Sequence, residues 1–279
     1  MVNFEWNHFG PIPPVEVDAI VEADKFRREL GEAFPAYAAD FNDKFTAWQK
    51  KWFDPERPAS SSALERCELP EYDPLLFLGP KTIPLLVFEL SRPGNFIATT
   101  LYNHLETDKH AKVDPQDIAN YLTLNRHANL IVELNHERRQ RFRVHAEAWK
   151  ARRARNLRIT TTTNSPPSGP SSETTTTTPP TPDPDTTCPE YESLVAMGSG
   201  IIAHVMLEYR RDRTGPWYKL MHQLVCERPA EGGGDGDGVL GTEVGEYERW
   251  CDWFEYQEHH EAMVDGGTPA YLRNVGTWS

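Results

Sequence analysis

One stretch of this chain occurs twice, and that constrains the fold more than any other feature. Pro70-Glu71-Tyr72-Asp73-Pro74-Leu75-Leu76-Phe77-Leu78-Gly79 is answered 119 residues later by Pro189-Glu190-Tyr191-Glu192-Ser193-Leu194-Val195-Ala196-Met197-Gly198. Held without gaps, the same spacing sets Ile83 on Ile202, Leu86 on Val205, Glu89 on Glu208, Leu101 on Leu220 and Leu105 on Leu224. A shared Pro-Glu-Tyr, a shared Gly and apolar positions in register are the mark of an internal duplication. The two copies fall near residues 67–105 and 186–224.

Each copy reads as helix, glycine turn, helix, short loop, helix. Gly79 and Gly198 supply the positive-φ break after the first helix. The second helix is expected over 83–90 and 201–210, the third over 96–106 and 217–226. Such helices cannot bury their apolar faces alone and must stack on a neighbour. Ahead of the first copy, Tyr37, Phe41, Phe45, Trp48 and Trp52 recur at steps of three and four, which is one helical face. Between the copies a long helix is expected after Asp114-Pro115, with Asp114 as N-cap and Pro115 at the first helical position. Tyr121, Leu124, Ala128, Ile131, Phe142, Ala146 and Trp149 mark its apolar stripe, and Asn135 falls within that stripe. The fold class is therefore all-α: duplicated helical units joined by a long helix and a disordered Thr/Ser/Pro linker.

The expected organisation is an extended N-terminal segment (1–17), an N-terminal helical half (18–157), a disordered linker (158–187), a C-terminal helical half (188–264) and an irregular tail (265–279). The linker has almost no apolar residues to offset the entropy of ordering. A second flexible insert carries Gly232-Gly233-Gly234-Asp235-Gly236-Asp237-Gly238.

Net charge is −13, which repels nucleic acid and anionic membranes at long range and argues against a general DNA binder. The four cysteines (Cys67, Cys188, Cys226, Cys251) have no CxxC spacing, and residues 1–5 lack the basic and apolar regions of a signal peptide. Reduced thiols in a cytoplasmic protein are the expectation. The longest apolar stretch, residues 75–90, is interrupted by Gly79, Pro80, Lys81 and Pro84, so no membrane span is expected. The basic stretch 138–158 reads as a solvated helix end.

Several chemistries lack their motifs. There is no GxxxxGK[ST] or GxGxxG loop for nucleotides. His136-Glu137-Arg138-Arg139-Gln140 has Gln140 where HExxH requires a second metal ligand. No DDxxD occurs, and Asn42-Asp43-Lys44-Phe45-Thr46 is followed by Lys50 where a magnesium-binding glutamate would stand. The Asp/Gly run 232–238 lacks the closing Glu of an EF-hand. Glu258-His259-His260-Glu261 is a run of neighbours that face different ways on a helix. Neither a metal nor a cofactor is expected.

The third helices carry polar residues among apolar ones: Tyr102, Asn103 and His104 in the first copy, His222 and Gln223 in the second. Buried amides and imidazoles must be paired, so these positions are either a structural network or the wall of a pocket. Trp217, Tyr218, Trp250, Trp253 and Phe254 pose the same choice between core and an aromatic-lined cavity.

Residues 75–86 and 194–198 resemble HEAT-like helical units, and residues 119–137, with Asn129-Leu130-Ile131-Val132-Glu133-Leu134-Asn135, resemble a family of poorly characterised filamentous-fungal proteins. The resemblance covers roughly 20–155 and 188–260, and its motifs are structural. The chain is also similar to the norbornene-forming Diels–Alderases of sordarin-type diterpenoid biosynthesis. That resemblance implies a cofactor-independent intramolecular [4+2] cyclisation of a hydrophobic terpenoid in secondary metabolism. Such chemistry needs an apolar cavity that holds diene and dienophile together and a donor to polarise the dienophile carbonyl. The candidate donors are His104, His222, Gln223, Tyr102 and Tyr218, and the candidate substrate contacts are Trp217, Trp250, Trp253, Phe254 and Asn135. The alternative is a non-enzymatic helical-repeat scaffold with a protein partner.

Overall fold

A computed structural model describes residues 14–56, 63–114, 117, 121–163, 184–226 and 243–256. Trp6, Phe9, Pro115, the insert 232–238, the run 258–261, the tail and residues 164–183 of the expected linker lie outside the described residues. Every regular element among the described residues is helical.

Helix α1 (Val17–Ala33) buries Ala19, Ala23, Phe26 and Leu30, spaced four, three and four apart. It stops at Phe34 because the residue before a proline is driven out of the helical region; Phe34 adopts φ −138°, ψ 70°. Pro35 then opens α2 (Pro35–Trp52), whose buried face is the expected aromatic series.

The first copy follows as α3 (Asp73–Leu76), a 3-10 turn (Pro80–Thr82), α4 (Ile83–Leu90) and α5 (Ala98–Leu105). After the long helix α6 (Tyr121–Thr163) come the same elements in the same order: α7 (Pro189–Val195), a 3-10 turn (Ser199–Ile201), α8 (Ile202–Arg211) and α9 (Trp217–Cys226). The last described helix is α10 (Glu243–Tyr256). The glycines bear a stronger constraint than a simple break. Gly79 sits at φ 77°, ψ −176° and Gly198 at φ 69°, ψ −167°, a region essentially closed to any residue with a Cβ. The chain reverses there and enters a 3-10 turn that sequence analysis did not anticipate.

The correspondence reaches further back than the sequence motif. Trp48 Nε1 donates to the Arg66 carbonyl at 3.3 Å, and Trp149 Nε1 donates to the Asp185 carbonyl at 2.8 Å. The acceptors are 119 residues apart and the tryptophans 101 apart. At that second spacing buried Leu30 meets Ile131 and buried Phe41 meets Phe142. Thus α1 and α2 together match α6, broken in the first copy at Phe34-Pro35 and continuous in the second. Burying each of these large side chains contributes about 1.5–3 kcal/mol.

Two boundaries differ from the sequence reading. Helix α6 continues to Thr163, and residues 184–187 form turns held by Trp149 through Asp185. The basic stretch is not wholly solvated. Arg138 and Arg139 are buried, because they lie on the face of α6 that meets the core. No helix among the described residues is long and apolar enough to cross a membrane. The four cysteines are free thiols.

Candidate functional site

The two 3-10 turns pack against each other, which brings the two copies together along a seam. Beside that seam, against α9 and α10, lies a cavity of about 210 Å³. Its apolar wall includes Leu78, Val195, Ile202, Leu224 and Trp253. Its polar points are Lys81, Thr107, Ser199 and Gln223. Thr107 and Ser199 tie the copies together: their hydroxyl oxygens are 2.9 Å apart, and the Ser199 amide donates to Thr107 Oγ1 at 3.4 Å.

Lys81 is 1% exposed, yet among the described residues no carboxylate pairs with it directly. Its Nζ donates to the Trp253 carbonyl at 3.0 Å and to the Phe254 carbonyl at 2.7 Å. Those carbonyls belong to the last turn of α10, where backbone acceptors lack helical partners and a cation complements the dipole. The ammonium also lies 4.8–5.2 Å from the ring centroids of Tyr37, Trp253 and Phe254. Burial pulls its pKa well below that of an ordinary lysine, with Glu255 and Asp40 opposing. This side chain fastens α10 to the seam and places Trp253 at the cavity wall.

At the matching position of the second copy stands Gly200, and the space is taken by Arg138 of α6. A Cβ on Gly200 would overlap the guanidinium, coming 2.8 Å from Cζ. Arg138 Nη1 donates to Glu106 Oε2 at 2.8 Å and to Asn135 Oδ1 at 3.1 Å. Tyr102 OH donates to the same Glu106 oxygen at 2.9 Å, and Asn135 Nδ2 donates to Tyr102 OH at 3.2 Å. The other Glu106 oxygen accepts the amides of Thr107 and Asp108, both at 2.9 Å. Burial alone would lower the Arg138 pKa, but Glu106 more than offsets it and the cation is held. Tyr102 is raised by burial and by the Glu106 charge, so it stays a neutral phenol.

This geometry sorts the ten residues nominated from sequence. Gln223 and Trp253 line the seam cavity. Tyr102 and Asn135 do not: their hydrogen-bonding groups are consumed by Glu106, Arg138 and the Ile131 carbonyl. His104 is engaged through Nδ1 by the Tyr72 hydroxyl. Burial, with Lys112 nearby, holds its pKa down to about 4, so the imidazole is neutral at pH 7. His222 lies edge-on to Trp250, ring centroids 6.5 Å apart. Tyr218 is half-buried with Lys219 Nζ 5.7 Å from its ring. Trp217 is buried against Trp149, and Trp250 against Trp253. Phe254 packs on Phe34 and Tyr37. These aromatics are core because α10 lays one face across α2, α8 and α9.

The residues missed were Lys81, Thr107 and Ser199. The alignment of the copies held a signal for the first. A lysine flanked by Pro80 and Thr82 within an apolar run, set against Gly200, is a charge that the fold must answer. No group of His, Cys, Asp and Glu among the described residues is placed to hold a metal ion. No protein-family model, curated protein or solved structure matches this chain.

Proposed function

We propose that the seam cavity binds a hydrophobic small molecule and that the protein acts on it as a cofactor-independent cyclase of the intramolecular Diels–Alder type, with a terpenoid intermediate as substrate. The observation that carries this reading is an apolar cavity at the junction of two helical units, with few polar groups, one of them the Gln223 amide. A [4+2] closure forms two carbon–carbon bonds within one molecule and transfers no proton or group to the protein. The wall would hold diene and dienophile in a reactive conformer. Gln223 would donate its amide N–H to the carbonyl that activates the dienophile. Ser199 and Thr107 would orient a second oxygen. We further read the two units as HEAT-like repeats, with the seam as their shared inner surface.

A second reading has its own support. Tyr102, His104 and Asn135 are satisfied within the protein, as a structural network would be. On α1, Val17, Ile20 and Val21 are 72%, 37% and 58% exposed, a surface suited to a protein partner. Incubation of the purified protein with polyene-aldehyde terpenoids, without added cofactor, separates the two readings. The cyclase reading expects a product isomer ratio that departs from the buffer control and returns toward it in Gln223→Ala. Unchanged rate and ratio for every substrate would leave the scaffold.

A further inference from the structure

The hydroxyl groups at the seam leave one hydrogen without an acceptor, and it belongs to the wall of the cavity. Thr107 and Ser199 carry two hydroxyl hydrogens between them. Their oxygens are 2.9 Å apart, so one of the two hydrogens is shared. Neither hydroxyl has a further partner among the described residues. Burial decides which hydrogen is spare. Ser199 is 6% exposed, whereas Thr107 is exposed, and both line the cavity. A buried hydroxyl left without an acceptor is costly. Ser199 therefore donates to Thr107, and the spare hydrogen is that of Thr107.

Thr107 Oγ1 is then full as an acceptor. One lone pair takes the Ser199 hydroxyl and the other the Ser199 amide, at 3.4 Å. What remains is a single O–H donor. Its oxygen lies beside the bare Cα of Gly198, which also lines the cavity: a Cβ there would come 3.2 Å from Thr107 Oγ1. The donor is braced from behind. The Thr107 amide donates to Glu106 at 2.9 Å, Arg138 donates to Glu106 at 2.8 Å, and Arg138 packs against Gly200, next to Ser199. A group fixed in place before binding loses little freedom when it is used. Elsewhere on the wall Lys81 is committed to the carbonyls of α10, and the half-buried Gln223 amide is the other polar group within reach of a ligand.

We infer that the ligand of the seam cavity carries two oxygens: a carbonyl that meets Gln223, and a second oxygen that accepts from Thr107. The inference rests on the reading of this cavity as a terpenoid site. It narrows the substrate class to terpenoid aldehydes that bear a further carbonyl, ether or hydroxyl oxygen. The full-length protein is titrated by calorimetry with farnesal, 12-hydroxyfarnesal and 12-methoxyfarnesal. Both oxygenated compounds are expected to bind about five- to tenfold tighter than farnesal, the worth of one hydrogen bond. The methoxy compound is expected to match the hydroxy one, because Thr107 donates and does not accept. Thr107→Val is expected to remove the gain and to leave farnesal within about twofold. Thr107→Ser and Ser199→Ala are expected to keep it. If the thermal midpoint of Thr107→Val falls, that change is combined with Ser199→Ala, which strands no hydroxyl. Equal affinity for the three compounds in the wild type would overturn the inference and leave the cavity reading in place. So would a gain confined to the hydroxy compound, or a gain that survives in Thr107→Val. Absence of saturable binding for all three would overturn the cavity reading, and this inference with it.

Discussion

In the first copy the buried cation at the seam is Lys81, carried on the 3-10 turn, and Tyr37 of α2 lies beneath it. In the second copy the turn carries Gly200, and the cation is Arg138 of α6, at the position that matches Tyr37. The two sites also answer the charge differently. Lys81 is held by two helix-end carbonyls and three aromatic rings. Arg138 is held by a carboxylate that is itself buried, Glu106. A duplicated backbone thus preserves the need to fill one space at the seam, while which element supplies the cation, and what neutralises it, is free to diverge. The energetic consequences are unequal. Removing one partner of a buried ion pair strands the other charge, whereas replacing a cation held by neutral acceptors with an apolar chain of similar length strands none.

That contrast sets the largest expected effect. Glu106→Ala leaves the Arg138 guanidinium buried without its carboxylate and is expected to cost about 3–5 kcal/mol in chemical denaturation. A loss below about 1 kcal/mol would mean that the pair behaves as a surface one. Next is a pH effect at His104, to which buried His204 of α8, also held below the ordinary histidine value by burial and by Arg139, Arg138 and Arg143, adds in the same direction. His104 is held at a pKa of about 4 in the folded protein by burial and by Lys112, while an unfolded histidine titrates near 6.5. Between those values the unfolded chain binds more protons, so stability falls as pH drops through this window and is unaffected by this group above it. The swing is on the order of 3 kcal/mol. His104→Gln installs the residue at the matching position of the second copy and is expected to make the acid limb shallower, leaving the share that His204 contributes; an unchanged limb would place the sensitivity elsewhere.

The glycines are expected to behave alike in both copies. Gly79→Ala and Gly198→Ala force a Cβ into a backbone region that excludes it, costing about 1–3 kcal/mol each. Thermal unfolding of the two variants measures this, and a large inequality between them would show that the turns are not equivalent. The smallest effect is expected for Lys81→Met, within about 1 kcal/mol of wild type at neutral pH. Because burial holds Lys81 below the unfolded value, the unfolded chain binds the extra proton on the alkaline side, and wild-type stability rises with pH there. The variant is expected to lose that rise.

The fold was legible where periodicity was strong. The aromatic face of α2 and the order of helices in each copy followed from apolar spacing and from two glycines. The backward extension of the duplication was not legible, because Tyr37 and Arg138, or Trp52 and Arg153, share a place in space but no chemistry. The site was half legible. Polar residues in the third helices were singled out for their burial, and burial alone does not say whether a hydrogen bond ends on a neighbour or on a ligand. Tyr102 and Asn135 were lost to Glu106 and Arg138 through contacts distant in sequence. Gln223 remained at the cavity, whereas His104 at the matching position is taken up by Tyr72. Tyr191, which matches Tyr72, donates instead to the Lys219 carbonyl at 3.2 Å.

The account rests most directly on the seam cavity as a place for a hydrophobic molecule. Equilibrium titration of the full-length protein with a polyene-aldehyde terpenoid, alongside a Leu224→Trp variant that fills the cavity wall, tests it by calorimetry. One saturable site in the wild type, lost in the filled variant while its thermal midpoint is kept, is the predicted result. No saturable binding, or equal binding by both proteins, would contradict it.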